Sequence, residues 1–132
     1  MEPDEPERTS PPASGPPPGT VEVEPHAPDV VVVALRGEHD LNTRQLFSEA
    51  LARAGDDGNV LVDLSECSFI DSTIIGVLVL AFQAQTKRGR RLELAIPPAA
   101  QAIQRVATIA GLRTFLSIHE TRSAGLASIQ SG

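Results

Sequence analysis

Three segments rich in Val, Leu and Ile, separated by stretches of helix length, constrain the fold of this chain most strongly. They are DVVVVALRG at residues 29–37, NVLVDLS at residues 59–65 and RLELAI at residues 91–96. Short runs of this kind are typical of strands buried within a sheet. Because a helix-length segment follows each strand, we expect the strands to be parallel and joined by crossovers. The sequence therefore predicts an α/β fold.

The other segments complete an alternating order of strands and helices. TVEVE, residues 20–24, alternates apolar and polar residues and predicts a half-buried strand in a hairpin with the next strand. Helices are predicted over residues 43–54, 72–86 and 98–110 and from Ser123 onwards, a last strand over residues 114–119, and a connector at ECSFID, residues 66–71. Asn42 or Thr43 is expected to cap the first helix. The expected order is β-β-α-β-α-β-α-β-α.

Residues 1–19 differ in composition from the rest of the chain. They hold seven of the 11 prolines, together with four acidic residues and one Arg. Such a segment cannot bury enough apolar surface to offset the entropy lost on ordering. We therefore expect a disordered, acidic, proline-rich tail over residues 1–19 and one folded domain over residues 20–132.

Charge, hydropathy and cysteine content exclude several classes of protein. The net charge of −6 gives little electrostatic support for direct binding of nucleic acid. Charged residues interrupt every apolar run before it reaches the length of a membrane span, and the acidic N-terminus does not resemble a signal peptide. The single Cys67 excludes an internal disulfide and fits a reducing compartment. We expect a cytoplasmic protein with no membrane insertion.

Motifs for catalysis and for cofactor binding are mostly absent. Neither a phosphate-binding loop nor a dinucleotide-binding glycine motif occurs. His26, His39 and His119 lie in separate segments, without ligand spacing, and are expected to be surface or loop residues. Cys67 is expected to be a small, partly buried filler. We expect no enzyme activity, no metal and no cofactor.

Two weaker alternatives use charged residues. Asp40, Asp63 and Asp71 lie near strand ends and could form an acidic Mg²⁺ pocket like that of response-regulator receivers. KRGRR, residues 87–91, is the only basic cluster. It is interpreted as a set of cations at a helix C-terminus, with Gly89 ending the helix, rather than as a nucleic-acid site.

The segment that begins with Asp71, Ser72 and Thr73 has two interpretations. An almost unbroken apolar run follows these residues, so a buried helix starts here and its first N–H groups need acceptors. A helix cap explains the Asp and the hydroxyls. A hydroxyl at a helix N-terminus is also a favourable place for a regulated phosphate, which would add about two negative charges to the surface.

The segment VLVDLSECSFIDSTIIGVLVL, residues 60–80, resembles the signature of the STAS domain found in bacterial anti-sigma factor antagonists. That family typically has Asp-Leu-Ser, a connector, and then Phe, Ile or Met, Asp-Ser, Ser or Thr, and Gly-Leu-Gly. RGEHDLNT at residues 36–43 resembles the family's loop after the second strand, and IAGLRTFLSIHET at residues 109–121 resembles its later Ser-Gly-Leu segment. The resemblance covers residues 20–130.

The resemblance implies a small mixed β-sheet of about four to five strands, with helices packed mainly on one face. It also implies an anti-sigma factor antagonist that binds an anti-sigma factor with serine-kinase activity when unphosphorylated, and so regulates transcription by partner switching. Phosphorylation of Ser72 would release the kinase, and a phosphatase would restore binding. Thr73 is the second choice of acceptor. The alternative is a STAS subunit that binds constitutively in a stress-signalling scaffold or a lipid-transport ABC system.

One departure from the family pattern lies directly after the hydroxyl pair. The usual Gly-Leu is replaced by Ile74-Ile75, whereas Gly76 is retained and is expected to let the helix pack closely. If Ile74 is exposed, its β-branched side chain reshapes the contact surface. The expected partner-binding surface comprises Asp40, Asp71, Ser72, Thr73, Ile74 and Ile75.

Overall fold

The computed structural model describes residues 19–131, and the predicted tail therefore lies almost entirely outside the described residues. The strands are β1 Thr20–Ala27, β2 Val30–His39, β3 Asn59–Ile70, β4 Leu92–Ala95 and β5 Ile118–His119. The helices are α1 Arg44–Asp57, α2 Ser72–Lys87, α3 Gln101–Ile109 and α4 Arg122–Ser131. Among the described residues, no helix combines the length and the apolar character needed to cross a bilayer.

The five strands form one mixed sheet in the order β1-β2-β3-β4-β5. β1 pairs antiparallel with β2, and every other neighbouring pair is parallel. The first hairpin and the parallel strands predicted from the β-branched runs are both confirmed. The expected α/β fold, a small mixed sheet with helices mainly on one face, is therefore the fold of this chain.

Alternation along β3 divides the interior into two layers. Val60, Val62 and Leu64 pack in the larger core, which lies between the sheet and helices α1, α2 and α3. Leu61 points to the other face, where Ile129 of α4 covers it. Because successive side chains of a strand point to opposite faces, this central strand needs apolar residues at almost every position.

Three boundaries differ from the sequence-based expectation. β3 continues through the predicted connector, since the backbone at residues 66–70 pairs with the end of β2 across two irregularities in register. Pro97 and Pro98 form a turn, and α3 begins only at Gln101. The last strand is reduced to Ile118–His119. The sequence does not indicate this extension of β3, because polar residues such as Glu66 and Ser68 interrupt the apolar pattern of the connector.

The basic cluster after α2 forms contacts within the domain. Arg88 forms an ion pair with Asp56 of α1 at 3.0 Å, and Arg90 donates a hydrogen bond to the carbonyl of Gly55. Gly89 has a φ of 71°, the left-handed conformation that glycine adopts at the end of a helix. The cluster therefore ends α2, as the helix-terminus interpretation predicted, and it also joins α2 to α1.

Candidate functional site

The ends of β2 and β3 bring the two predicted site aspartates to one edge of the sheet. His39 and Ile70 are partners in the parallel pairing of these strands. Asp40 and Asp71 are the next residues along each strand, so they leave the sheet from neighbouring positions. The loop before α1 and the start of α2 therefore adjoin, as expected at the carboxyl edge of a parallel sheet.

Asp40 organises the loop that leads into α1. Its Oδ1 accepts a hydrogen bond from the backbone N–H of Asn42 at 2.9 Å, and its own N–H donates to Oγ1 of Thr43 at 3.2 Å. Together these bonds form a capping box around the 3₁₀ turn Leu41–Thr43. Thr43 occupies the N-cap position of α1, as one of the two expected residues, but its side chain forms no capping hydrogen bond with the helix. The side-chain cap comes from Asp40 and lies on the 3₁₀ turn before α1.

His39, the last residue of β2, connects this loop to the sheet through its side chain. Its ring is fully buried, with Nδ1 3.0 Å from Oγ1 of Thr43 and Nε2 near the carbonyls of Arg36 at 3.0 Å and Thr20 at 3.1 Å. Carbonyl oxygens only accept, so Nε2 carries a proton, and Nδ1 lies within hydrogen-bonding distance of the Thr43 hydroxyl. The expectation of a surface or loop histidine is wrong here: His39 is a buried structural residue at the base of the site.

Asp71 caps α2. Its backbone is extended, and Oδ1 accepts a hydrogen bond from the N–H of Ile74 at 3.1 Å. The hydroxyl of Ser72 forms no hydrogen bond with another described residue, and the side chain is exposed on the first turn of the helix. The carboxylate alone therefore performs the capping, and the neighbouring hydroxyl has no capping role.

The two isoleucines that replace the family's Gly-Leu point towards the protein interior. Ile74 is completely buried in the main core, and Ile75 is partly buried against it. Neither side chain reshapes the exposed first turn, and Ile74 is removed from the expected contact surface. Gly76 is exposed, and a Cβ there would meet no atom within 4 Å. Close packing therefore does not explain Gly76, contrary to expectation.

Sequence reasoning missed four exposed residues close to these strand ends and along α2. Leu41, which follows Asp40, is 70% exposed, and Phe69 near the end of β3 is 40% exposed. A surface cavity of about 510 Å³ on α2 is lined by Ser72 and Thr73, and also by Arg44 and the 65% exposed Leu80.

We call Asp40, Leu41, Asp71, Ser72 and Thr73 the strand-end surface. In the sequence Leu41 lies in a loop directly after the charged Asp40, and nothing in that pattern indicates that its side chain is exposed.

The alternative acidic Mg²⁺ pocket is not formed. The side chain of Asp63 lies on the α4 face of the sheet, where Arg122 Nε donates to it at 2.7 Å. Burial acts to raise the pKa of Asp63, but hydrogen bonds from Ser65 and Arg122 outweigh it and hold the pKa below its usual range. Within residues 19–131, no group of three His, Cys, Asp or Glu side chains could hold a metal ion.

Cys67 is a buried thiol in the last part of β3. Only 5% of it is exposed, and Sγ donates to the carbonyl of Phe69 at 3.4 Å. Burial raises the pKa of Cys67 to about 11, which keeps the group protonated at neutral pH. A protonated thiol is a poor nucleophile. This agrees with the expected role of a small filler.

Several solved structures share this fold. An anti-sigma factor antagonist from Mycobacterium paratuberculosis superposes with a TM-score of 0.73 at 23% identity, covering 86% of this chain and 95% of its own. The unphosphorylated anti-sigma factor antagonist SpoIIAA gives 0.72 at 19% identity, covering 86% and 98%. The phosphorylated form of SpoIIAA, a Bacillus cell-fate determinant, gives 0.65 at 18% identity, covering 83% and 99%.

The sequence itself matches one domain family. Among curated proteins no sequence matches this chain. The model of the family described as "Mlab, STAS domain" matches residues 23–118, which include residues of all five strands, the GEHD loop and the start of α2. Because this match spans well over half of the chain, the protein is a member of the STAS-domain family.

Proposed function

We propose that this protein is a cytoplasmic, non-catalytic anti-sigma factor antagonist. In this proposal it binds an anti-sigma factor with serine-kinase activity through the strand-end surface, and phosphorylation of Ser72 ends that binding. The kinase transfers the γ-phosphoryl group of ATP to Oγ of Ser72, and ADP and the hydroxyl proton leave. A phosphatase reverses the modification by hydrolysis.

The carrying observation is the division of roles between Asp71 and Ser72. Asp71 caps α2, so a kinase can modify the exposed Ser72 hydroxyl without removing a hydrogen bond that the fold needs. Ser72 lies in the first turn, where backbone N–H groups and the helix dipole favour an anion. The modification therefore changes the charge of the surface while the helix stays formed.

The surface has the composition expected of a protein-contact site. Leu41 offers an exposed apolar side chain next to the Asp40 cap, and Ser72 and Thr73 offer polar groups on the first turn of α2. Interfaces commonly combine an apolar centre with a polar rim. A phosphate beside Asp40 and Asp71 would raise the local negative charge and disfavour an acidic or apolar partner.

The test uses capture from the native cell with full-length variants. Ser72→Ala should retain the anti-sigma factor, and Ser72→Asp should lose it; Ser117→Asp adds the same charge at another exposed serine and should retain it. Mass spectrometry of the wild-type sample should find phosphate on the Ser72 peptide. Equal capture by Ser72→Ala and Ser72→Asp would overturn the switch and leave the constitutive STAS subunit as the function.

A further inference from the structure

Arg44 occupies a position that the fold alone does not explain. It is the first residue of α1, where the positive end of the helix dipole disfavours a cation. Its side chain is exposed and forms no ion pair or side-chain hydrogen bond with another described residue. A residue that is unfavourable at the helix N-terminus and forms no polar side-chain contact with the described residues suggests a different role. That role is to bind a group that the unmodified chain lacks.

The position of Arg44 indicates what that role is. It lines the same cavity of about 510 Å³ as Ser72 and Thr73, and it is the only charged residue among the described residues that form the cavity wall. Gly76 keeps this wall open, since it has no side chain and a Cβ there would meet nothing within 4 Å. A group attached to the Ser72 oxygen therefore has space around it and a cation in the same cavity wall.

The nearby carboxylates do not provide an alternative partner for a phosphate, since they repel it. Asp71 uses Oδ1 for the N–H of Ile74, and Asp40 uses Oδ1 for the N–H of Asn42. A dianionic group on Ser72 would thus lie near two negative charges and one positive charge. Guanidinium groups bind phosphate oxygens in pairs, with charge-assisted hydrogen bonds, so Arg44 is the favoured contact.

We propose that Arg44 is the intramolecular counter-ion of a phosphate on Ser72. The proposal rests on the proposed function, because it assumes that Ser72 is the modified residue. In the unphosphorylated protein the guanidinium is exposed to a partner with an acidic contact residue. In the phosphorylated protein the same guanidinium is bound to the phosphate. Phosphorylation therefore removes a positively charged contact for the partner and adds negative charge to the same surface.

Phosphorus NMR tests the pairing directly, without the partner. Full-length protein carrying genetically encoded phosphoserine at position 72 is titrated with acid, alongside Arg44→Gln and the matched control Arg53→Gln, another exposed arginine of α1. A cation stabilises the dianion, so the second phosphate ionisation should occur at lower pH with Arg44 present, by about 0.5 pH unit for an exposed pair. Arg53→Gln should match the parent.

Thermal unfolding gives a second readout, because Arg44→Gln should change Tm differently in the unphosphorylated and the phosphorylated protein. In the unphosphorylated protein, Arg44→Gln should leave Tm unchanged or raise it, because a cation leaves the helix N-terminus. In the phosphorylated protein, the same substitution should lower Tm. Equal phosphate titrations with and without Arg44, or the same Tm change in both forms, would overturn the proposal. Failure of partner capture by the Ser72 variants would instead count against the proposed function, since neither readout here involves the partner.

Discussion

The guanidinium of Arg122, in the first residue of α4, donates a 2.7 Å hydrogen bond to the buried carboxylate of Asp63 in β3. Nη1 of the same guanidinium donates a hydrogen bond to Oε1 of Glu24 in β1 at 2.8 Å. One side chain therefore joins the edge strand, the central strand and the last helix. Among the described residues, α4 is the element that covers the second face of the sheet, and this contact helps to fix its first turn there.

Replacing Arg122 with Ala should destabilise the domain. Asp63 would stay buried with donors only from Ser65, and Glu24 would lose its partner. Because about a third of the Arg122 side chain is exposed, solvent screening reduces the effect, and we expect a loss of about 1–2 kcal/mol. Urea unfolding at pH 7 measures it, with Arg105→Ala as an exposed arginine control that should unfold like the parent.

The pH dependence gives this prediction a second, independent check. The pKa of Asp63 is lowered in the folded state, so its contribution to stability is fully present above the unfolded value of about 4. That contribution is lost as pH falls through the lower folded value. Arg122→Ala removes part of the cause, so stability should fall less steeply with acid than in the parent. An unchanged acid profile would show that Arg122 does not hold the carboxylate ionised.

Two helical glycines should respond in opposite ways to the same substitution. A Cβ on Gly125 of α4 would lie 2.7 Å from Cδ1 of the buried Leu61, whereas a Cβ on Gly76 of α2 would meet nothing within 4 Å. Gly76→Ala should therefore stabilise by about 0.5–1 kcal/mol through helix propensity. Gly125→Ala should destabilise by about 1 kcal/mol or more, because overpacking exceeds the same propensity gain. Calorimetry of both variants measures the difference, and two changes of equal sign would disprove the packing assignment.

The sheet could be predicted from the sequence because a strand that is buried on both faces has apolar residues at nearly every position. Val60 to Leu64 alternate between two cores, so β3 reads as an apolar run, and only Asp63 interrupts it. The end of the same strand could not be predicted, since residues 65–70 pair with β2 on one side only and carry exposed polar residues. Backbone pairing of that kind leaves no apolar period in the sequence.

The site was predictable in its motif residues and less so in its surroundings. Asp40 and Asp71 were recognisable because each follows a strand directly, and strand register then places them together. Arg44 could not be connected with Ser72 from the sequence, because their proximity depends on how α1 packs against α2. The burial of Ile74 likewise depends on the rotation of α2, since a helix that is apolar on nearly every side does not reveal which face is inward.

The assignment of the cap to Asp71 can be separated from any role of Ser72 by a pair of alanine substitutions. Asp71→Ala leaves the N–H of Ile74 without its acceptor and should cost about 1 kcal/mol, whereas Ser72→Ala removes a hydroxyl without a described partner and should change stability little. Asp71→Ser offers a shorter capping oxygen and should recover part of the loss. Chemical unfolding of the three variants measures these differences. If Ser72→Ala were as destabilising as Asp71→Ala, the serine would share the cap, and its modification would weaken α2 rather than change only the charge of the surface.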